Sequence, residues 1–182
     1  MRLLGLSGSL RVGSHNRKLL EVAASTLPDG VVMDVYSGLG DIPPYLEDGD
    51  APEPVLALRE AIGAADAVLI ATPEYNGSIP GVLKNALDWA SRPFPNNALR
   101  AKPVAVIGAS TGVFGAVWAQ AELRKVLGLI GADVIDTELP VALADDAFTE
   151  DGSLADPGLT EALADLVGQL VRAAGEVVGT PR

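Results

Sequence analysis

Two hydroxyls, an amide and a guanidinium gather in one short stretch: Ser9, Arg11, Ser14 and Asn16, within Gly8-Ser9-Leu10-Arg11-Val12-Gly13-Ser14-His15-Asn16. The apolar run Leu3-Leu4-Gly5-Leu6 before it has the character of a buried parallel strand. The pattern after it, with Leu19, Leu20, Val22, Ala23 and Leu27, is helical. A small-residue turn between a first strand and a first helix is where backbone N–H groups and hydroxyls converge on an anion. Charge agrees with this: the chain carries a net charge of -11, yet its first 18 residues hold Arg2, Arg11, Arg17 and Lys18 and no carboxylate.

Spacing narrows the kind of anion. Gly8 and Gly13 have the interval of a P-loop, but Ser14-His15 stands where Lys-Ser/Thr would follow, which argues against a nucleoside triphosphatase. The G-x-G-x-x-G turn of a dinucleotide fold is also missing. What is left suits one terminal phosphomonoester, with Ser9, Ser14 and Asn16 as neutral donors, Arg11 as the charged one and a helix N-terminus behind them. A dipole contact adds at most about 2 kcal/mol, so hydrogen bonds must supply most of the grip. A plainer account also fits, in which Ser14 or Asn16 merely caps the helix.

Two further loops have the same small, polar make-up. Pro73-Glu74-Tyr75-Asn76-Gly77-Ser78-Ile79-Pro80-Gly81 follows the apolar strand 67–72, and Ala109-Ser110-Thr111-Gly112-Val113-Phe114-Gly115 follows the strand 104–108. The elements that must position them alternate along the chain. Strands are expected at 3–6, 31–36, 67–72, 104–108 and 133–139. Helices are expected over the stretch carrying Leu19, Leu20, Val22, Ala23 and Leu27, over 55–65, from Pro80 or Gly81 through Trp89, over 116–130 and over 157–178. The last helix carries Leu159, Leu163, Leu166, Leu170 and Ala173 on its inner side, and 176–182 is expected as a loose tail. Five strands alternating with five helices describe an α/β doubly wound parallel sheet in a single domain, residues 1–182. In the flavodoxin-like order 2-1-3-4-5, the switch point lies between strands one and three, and the three loops share one cleft.

Composition removes other chemistries. With no cysteine there is no disulfide, thiolate nucleophile or thiolate metal site, and the single histidine, His15, makes a Ser-His-Asp triad improbable. Chemistry therefore belongs to a cofactor. The acidic runs 41–53 and 145–156 have the composition of solvated surface and not of metal ligands. An acidic chain does not suit nucleic acid, and without a signal region or membrane-length apolar run the protein is expected to be cytoplasmic and free of the membrane.

Gly8-Ser9-Leu10-Arg11 with Ser14 and Asn16, joined to the unbroken run from Pro73 through Val82-Leu83-Lys84-Asn85-Ala86-Leu87-Asp88-Trp89, strongly resembles the NADPH-dependent FMN reductase family, which includes quinone, chromate and azo reductases. Lys102-Pro103 and Leu123-Arg124, on either side of the third loop, are similar too. The resemblance covers roughly residues 2–140. It implies FMN as cofactor, with its phosphate at Ser9, Arg11, Ser14 and Asn16. The ring would lie along Pro73, Glu74, Tyr75 and Asn76, with a third contact at Ser110 and Gly112. It also implies NADPH or NADH as co-substrate. No side chain is assigned a catalytic role, because the flavin carries the reaction.

Physical reasons support these assignments. Flavin reduction places a hydride on N5 and negative charge near N1 and the C2 carbonyl, so fixed N–H donors are needed and no ionised general acid is. Asn76 can offer an amide to the ring edge, and Tyr75 can shape the pocket or pack on a second subunit. Glu74 is left to face solvent or to pair with Arg11 or Lys84. His15 stands where the family often has Phe, beside the phosphate, and either meets it or packs against a loop or solvent. Gly115-Ala116 replaces a common Gly-Gly pair, a change that would tighten the nicotinamide side of the cleft. The helix at 80–91 is apolar over much of its circumference and so lies either deep in the core or against another chain; the resemblance implies a homodimer or homotetramer, for which Trp89 is the candidate anchor unless it packs within its own subunit. The function implied is transfer of electrons from reduced nicotinamide, through FMN, to a quinone, azo compound, metal oxyanion or free flavin. The alternative is a non-enzymatic one-electron carrier of the flavodoxin type, which the acidic balance would suit. A scaffold that has lost its flavin is a third reading.

Overall fold

Apolar runs and glycine-rich turns become strands and strand-end loops in the computed structural model, which describes residues 1–179. The elements in order are β1 (Arg2–Ser7), α1 (His15–Ser25), β2 (Val32–Tyr36), a 3-10 turn (Gly38–Asp41), α2 (Glu53–Ala64), β3 (Ala67–Ala71), α3 (Gly81–Ala90), β4 (Pro103–Ala109), α4 (Val117–Ile130), β5 (Asp133–Val134), β6 (Pro140–Val141) and α5 (Pro157–Gly179). All the strand pairs are parallel, and the sheet runs β2-β1-β3-β4-β5. This is the flavodoxin-like order expected from the alternation of elements. The tail expected over 176–182 is helical as far as Gly179, and 180–182 lie outside the described residues.

Burial on both faces explains the strand composition. Every residue of β3 is fully buried, as a central parallel strand covered by helices on both sides requires. Full burial of Leu69 and Ile70 contributes about 1.5–3 kcal/mol each. One core lies under α1 and α5 and holds Leu19, Leu20, Leu163, Leu166 and Leu170. Ala174, not Ala173, continues that stripe. The other core lies under α2, α3 and α4 and holds Leu58, Ile62, Leu83, Leu87, Leu123 and Leu127. Because β1 sends its helix to one face and β3 sends its helix to the other, the chain parts at their carboxyl ends and leaves a crevice.

Two expectations are corrected. The strand expected over 133–139 is two short pieces, β5 and β6, both beside β4. Between them the Leu139 N–H is taken by Gln120 Oε1 at 3.1 Å, and Pro140 has no N–H to give, so the ladder breaks and then resumes. Gln120 is fully buried, and its Nε2 donates to the Gly115 carbonyl at 3.1 Å. Its place among the apolar residues of α4 gave no sign of this bracing role.

Trp89 is not an exposed anchor. It is 4% exposed, its Nε1 donates to the Pro43 carbonyl at 2.9 Å, and its ring stands edge-on to Tyr45, with centroids 5.0 Å apart. Arg59 places Nε and Nη2 on the Trp89 carbonyl at 3.1 and 2.9 Å, closing the C-terminal end of α3, and burial lowers the guanidinium pKa from its ordinary value. Asn85 fastens the same connection by accepting from Tyr45 N at 2.8 Å and donating to the Pro43 carbonyl at 2.9 Å. The long 37–54 segment thus folds over α3 and covers the apolar circumference that suggested a subunit contact.

Candidate functional site

The loops after β1, β3 and β4 meet at the crevice. Gly8 makes the first approach possible: its N–H donates to the Ala71 carbonyl at 2.8 Å, and a Cβ there would lie 3.0 Å from Leu83 Cδ2 and 3.2 Å from Pro73 Cδ. Gly115 does the same for the third loop, with φ +59° and a Cβ position only 2.7 Å from the Pro140 carbonyl carbon. The second loop turns on Asn76 and Gly77, at φ 55° and 74°, and the Tyr75 and Ser78 backbones exchange hydrogen bonds of 3.0 and 3.2 Å. Asn-Gly is the pair that tolerates two successive left-handed residues.

These loops enclose a cleft of about 220 Å³ lined by Ser9, Arg11, Ser14, His15, Asn16, Pro73, Glu74, Tyr75, Ala109, Ser110 and Thr111. Asn76, at the exposed apex of its turn, and Gly112 stand outside that lining. Ala109 and Thr111 join it without having been expected. Both belong to the third loop, which the packing of β4 against α1 brings to the cleft.

The first loop arranges its polar groups in three ways. Ser9 Oγ accepts from Arg11 N at 3.3 Å, and among the described residues the exposed Arg11 guanidinium meets only the Gly13 carbonyl, at 3.5 Å. Ser14 is the N-cap of α1, its Oγ accepting from Arg17 N at 3.3 Å. Asn16 is turned inward, 2% exposed, with Nδ2 donating to the Ala109 carbonyl and Oδ1 accepting from Ala109 N–H, both at 2.9 Å. Its side chain therefore locks the first loop to the third. The backbone N–H groups of His15 and Asn16, the first two of α1, find no acceptor among the described residues. Open N–H groups at a helix start, a capping hydroxyl and an uncommitted guanidinium are the donor set that a phosphomonoester needs. The capping and donor accounts of Ser14 are compatible, because its hydroxyl accepts from the helix and keeps its own proton to give. Ser14→Ala is expected to remove about 1 kcal/mol and lower the melting temperature of the ligand-free protein by about 2–4 °C in calorimetry. An unchanged melting temperature would show that the cap adds nothing.

His15 is held on the protein side. Nε2 lies 2.9 Å from Asp145 Oδ1, and the ring stacks on Phe148 with centroids 5.8 Å apart and 13° between planes. This is the loop-packing outcome, and it fastens the second acidic run to α1. Glu74 pairs with neither Arg11 nor Lys84. Its Oε2 accepts from the N–H groups of Trp118 and Ala119, each at 3.1 Å, while Lys84 pairs with Asp88 on its own helix at 2.7 Å. Ala116 turns its methyl into the core, 1% exposed, so the departure from Gly-Gly does not narrow the cleft. Around the mouth stand exposed apolar side chains: Leu10, Tyr75, Val113, Phe114, Trp118 and Val12, the last 99% exposed.

A doubly wound sheet with an anion-ready first loop at its switch point defines the flavodoxin-like class of nucleotide-binding proteins. Within that class, residues 1–146 match the model of the family described as NADPH-dependent FMN reductase, and the chain belongs to that family. It is 44% identical over 160 residues to an NAD(P)H-dependent FMN reductase of Pseudomonas aeruginosa, covering 86% of this chain and 85% of the relative. Identity is also 44%, over 128 residues and 69% of each chain, to a 2-hydroxy-1,4-benzoquinone reductase of a Burkholderia species. The solved structure of a flavoenzyme NAD(P)H:(acceptor) oxidoreductase from Paracoccus denitrificans superimposes with a TM-score of 0.84 at 39% identity, over 96% of this chain and 97% of that one.

Proposed function

We infer that this protein is an NAD(P)H-dependent FMN/quinone reductase: it takes a hydride from reduced nicotinamide and passes electrons to a planar acceptor of the quinone class. Membership of the family, with 44% identity to a named FMN reductase across most of both chains, carries this reading. The donor set of the first loop gives it a physical basis.

FMN, when bound, supplies the redox chemistry. The chain's own residues hold and orient it. Its phosphate would be held by the open N–H groups of His15 and Asn16, the hydroxyls of Ser9 and Ser14 and the Arg11 guanidinium. Asn16 takes part through its backbone, its side chain being spent on Ala109. Pro73, Glu74 and Tyr75 would border the ring on one side and Ser110 on the other, with Asn76 and Gly112 just beyond the lining of the cleft. The Tyr75–Ser78 turn, closed by its two backbone hydrogen bonds, would border one edge of the ring. The exposed apolar mouth, with Phe114 and Trp118 4.9 Å apart, offers flat surfaces to a planar acceptor and to a second copy of the chain, so a homodimer or homotetramer belongs to the reading. The reduced nicotinamide on which it draws makes the cytoplasm its place of action. Among the described residues no helix is long and apolar enough to cross a membrane.

A flavodoxin-type carrier would hold the same cofactor without oxidising nicotinamide. Anaerobic mixing of the FMN-loaded protein with NADPH or NADH is expected to bleach the flavin absorbance, and subsequent addition of a benzoquinone is expected to restore it. A flavin that stays yellow with both nucleotides would overturn the enzymatic reading.

A further inference from the structure

Two helix starts border the cleft, and they are equipped differently. α1 has its own cap in Ser14 and keeps two N–H groups open. α4 has no cap of its own: its N-cap position is Ala116, at φ 61° in the left-handed region, with a side chain that accepts nothing. A non-glycine residue stays in that region only where its surroundings hold it there. The missing acceptor comes from the loop after β3, where Glu74 Oε2 takes the N–H groups of Trp118 and Ala119. One helical turn further on, Ser78 Oγ donates to Glu122 Oε2 at 2.6 Å, so the same loop is pinned to α4 twice.

We propose that Glu74 is a positioning residue: by capping α4 from the neighbouring loop, it fixes the span between the ring-lining loop and the third loop, and so sets the affinity and geometry with which the flavin ring is held. The carboxylate neutralises the positive end of α4 and occupies its N–H groups, so the start of α1 is left as the place for an anionic ligand. The proposal rests on the reading of the cleft as an FMN site, and its test separates the two.

Amide hydrogen exchange is measured first, in the FMN-free protein. Exchange at residues 117–119 is expected to rise about tenfold or more in Glu74→Ala, because two charge-assisted bonds are lost. In Glu74→Gln, whose amide oxygen still accepts, it is expected to stay within about threefold of the parent. Titration then follows: the FMN dissociation constant is expected to rise about tenfold in Glu74→Ala, with a changed visible circular dichroism of the bound flavin, and both are expected to return towards the parent in Glu74→Gln. Unchanged exchange in Glu74→Ala would overturn the strut. Raised exchange with unchanged FMN affinity and dichroism would overturn its control of the ring. A Glu74→Gln variant as impaired as Glu74→Ala would overturn positioning in favour of a direct effect of charge. If the parent protein took up no FMN, the cofactor reading would fall, while the exchange data would still decide the strut. Glu74→Asp, one methylene shorter, replaces Glu74→Ala in the comparison should the latter not fold.

Discussion

Replacing Asn16 by Ala is expected to lower the free energy of unfolding by about 2–4 kcal/mol, because it leaves the N–H and the carbonyl of buried Ala109 without partners, at about 1–3 kcal/mol for each unsatisfied group. Urea denaturation should register this as a fall in midpoint of roughly 1–2 M with little change in slope. The loss also reaches the site. Asn16 bonds the first loop to the end of β4 through both ends of its amide, so its removal loosens the third loop from the first. Asn16→Asp is no rescue: a carboxylate can still accept from the Ala109 N–H but turns its other oxygen towards the Ala109 carbonyl, with a buried charge in addition. A variant as stable as the parent would mean that water replaces the amide without penalty.

Arg11→Ala is expected to weaken FMN binding roughly ten- to a hundredfold while leaving the unfolding midpoint in place. The binding loss follows from removal of one charge-assisted donor, about 1.5–3 kcal/mol. Stability is spared because the guanidinium is exposed and, among the described residues, meets only the Gly13 carbonyl at 3.5 Å. Arg11→Lys should recover part of the affinity, since an ammonium keeps the charge but not the fork geometry. Fluorescence titration of the apoprotein reads both variants, and raising salt should narrow the gap between Arg11→Ala and the parent because the lost contact is exposed. Equal affinity in Arg11→Ala and the parent would move the phosphate away from this loop.

Asn16 and Arg11 also mark how far a linear reading reaches. Both were assigned to the phosphate from residue type and spacing. Arg11 lies at the lip of the cleft with its guanidinium exposed, because a charged side chain in a glycine-bordered turn has little choice but solvent or a ligand. Asn16 has moved from donor to brace because its partner, Ala109, lies 93 residues away, and nothing local signals that pairing. Glu74 followed the same course. It was left to solvent or to the cations Arg11 and Lys84, but the positive charge it found was the start of α4, a property of backbone direction that no residue type encodes.

Trp89 failed differently. A helical wheel reports how much of α3 is apolar but not what covers it. Here the cover is an irregular, proline-rich connection whose path depends on Asn85 and the Trp89 indole holding the Pro43 carbonyl. The strand expected over 133–139 broke because a buried Gln on α4 competed for a ladder N–H.

From its sequence alone, this protein's strand and helix order, its doubly wound class and the three loops bearing its polar groups were determined, because hydrophobic period, glycine and proline act over a few residues and each segment carries its own signal. Tertiary structure decided which of those polar groups remain free for a ligand and which are spent holding the loops together. A hydrogen bond between Asn16 and Ala109, or between Glu74 and the start of α4, exists only once the sheet has brought distant strand ends within 3 Å or so of one another.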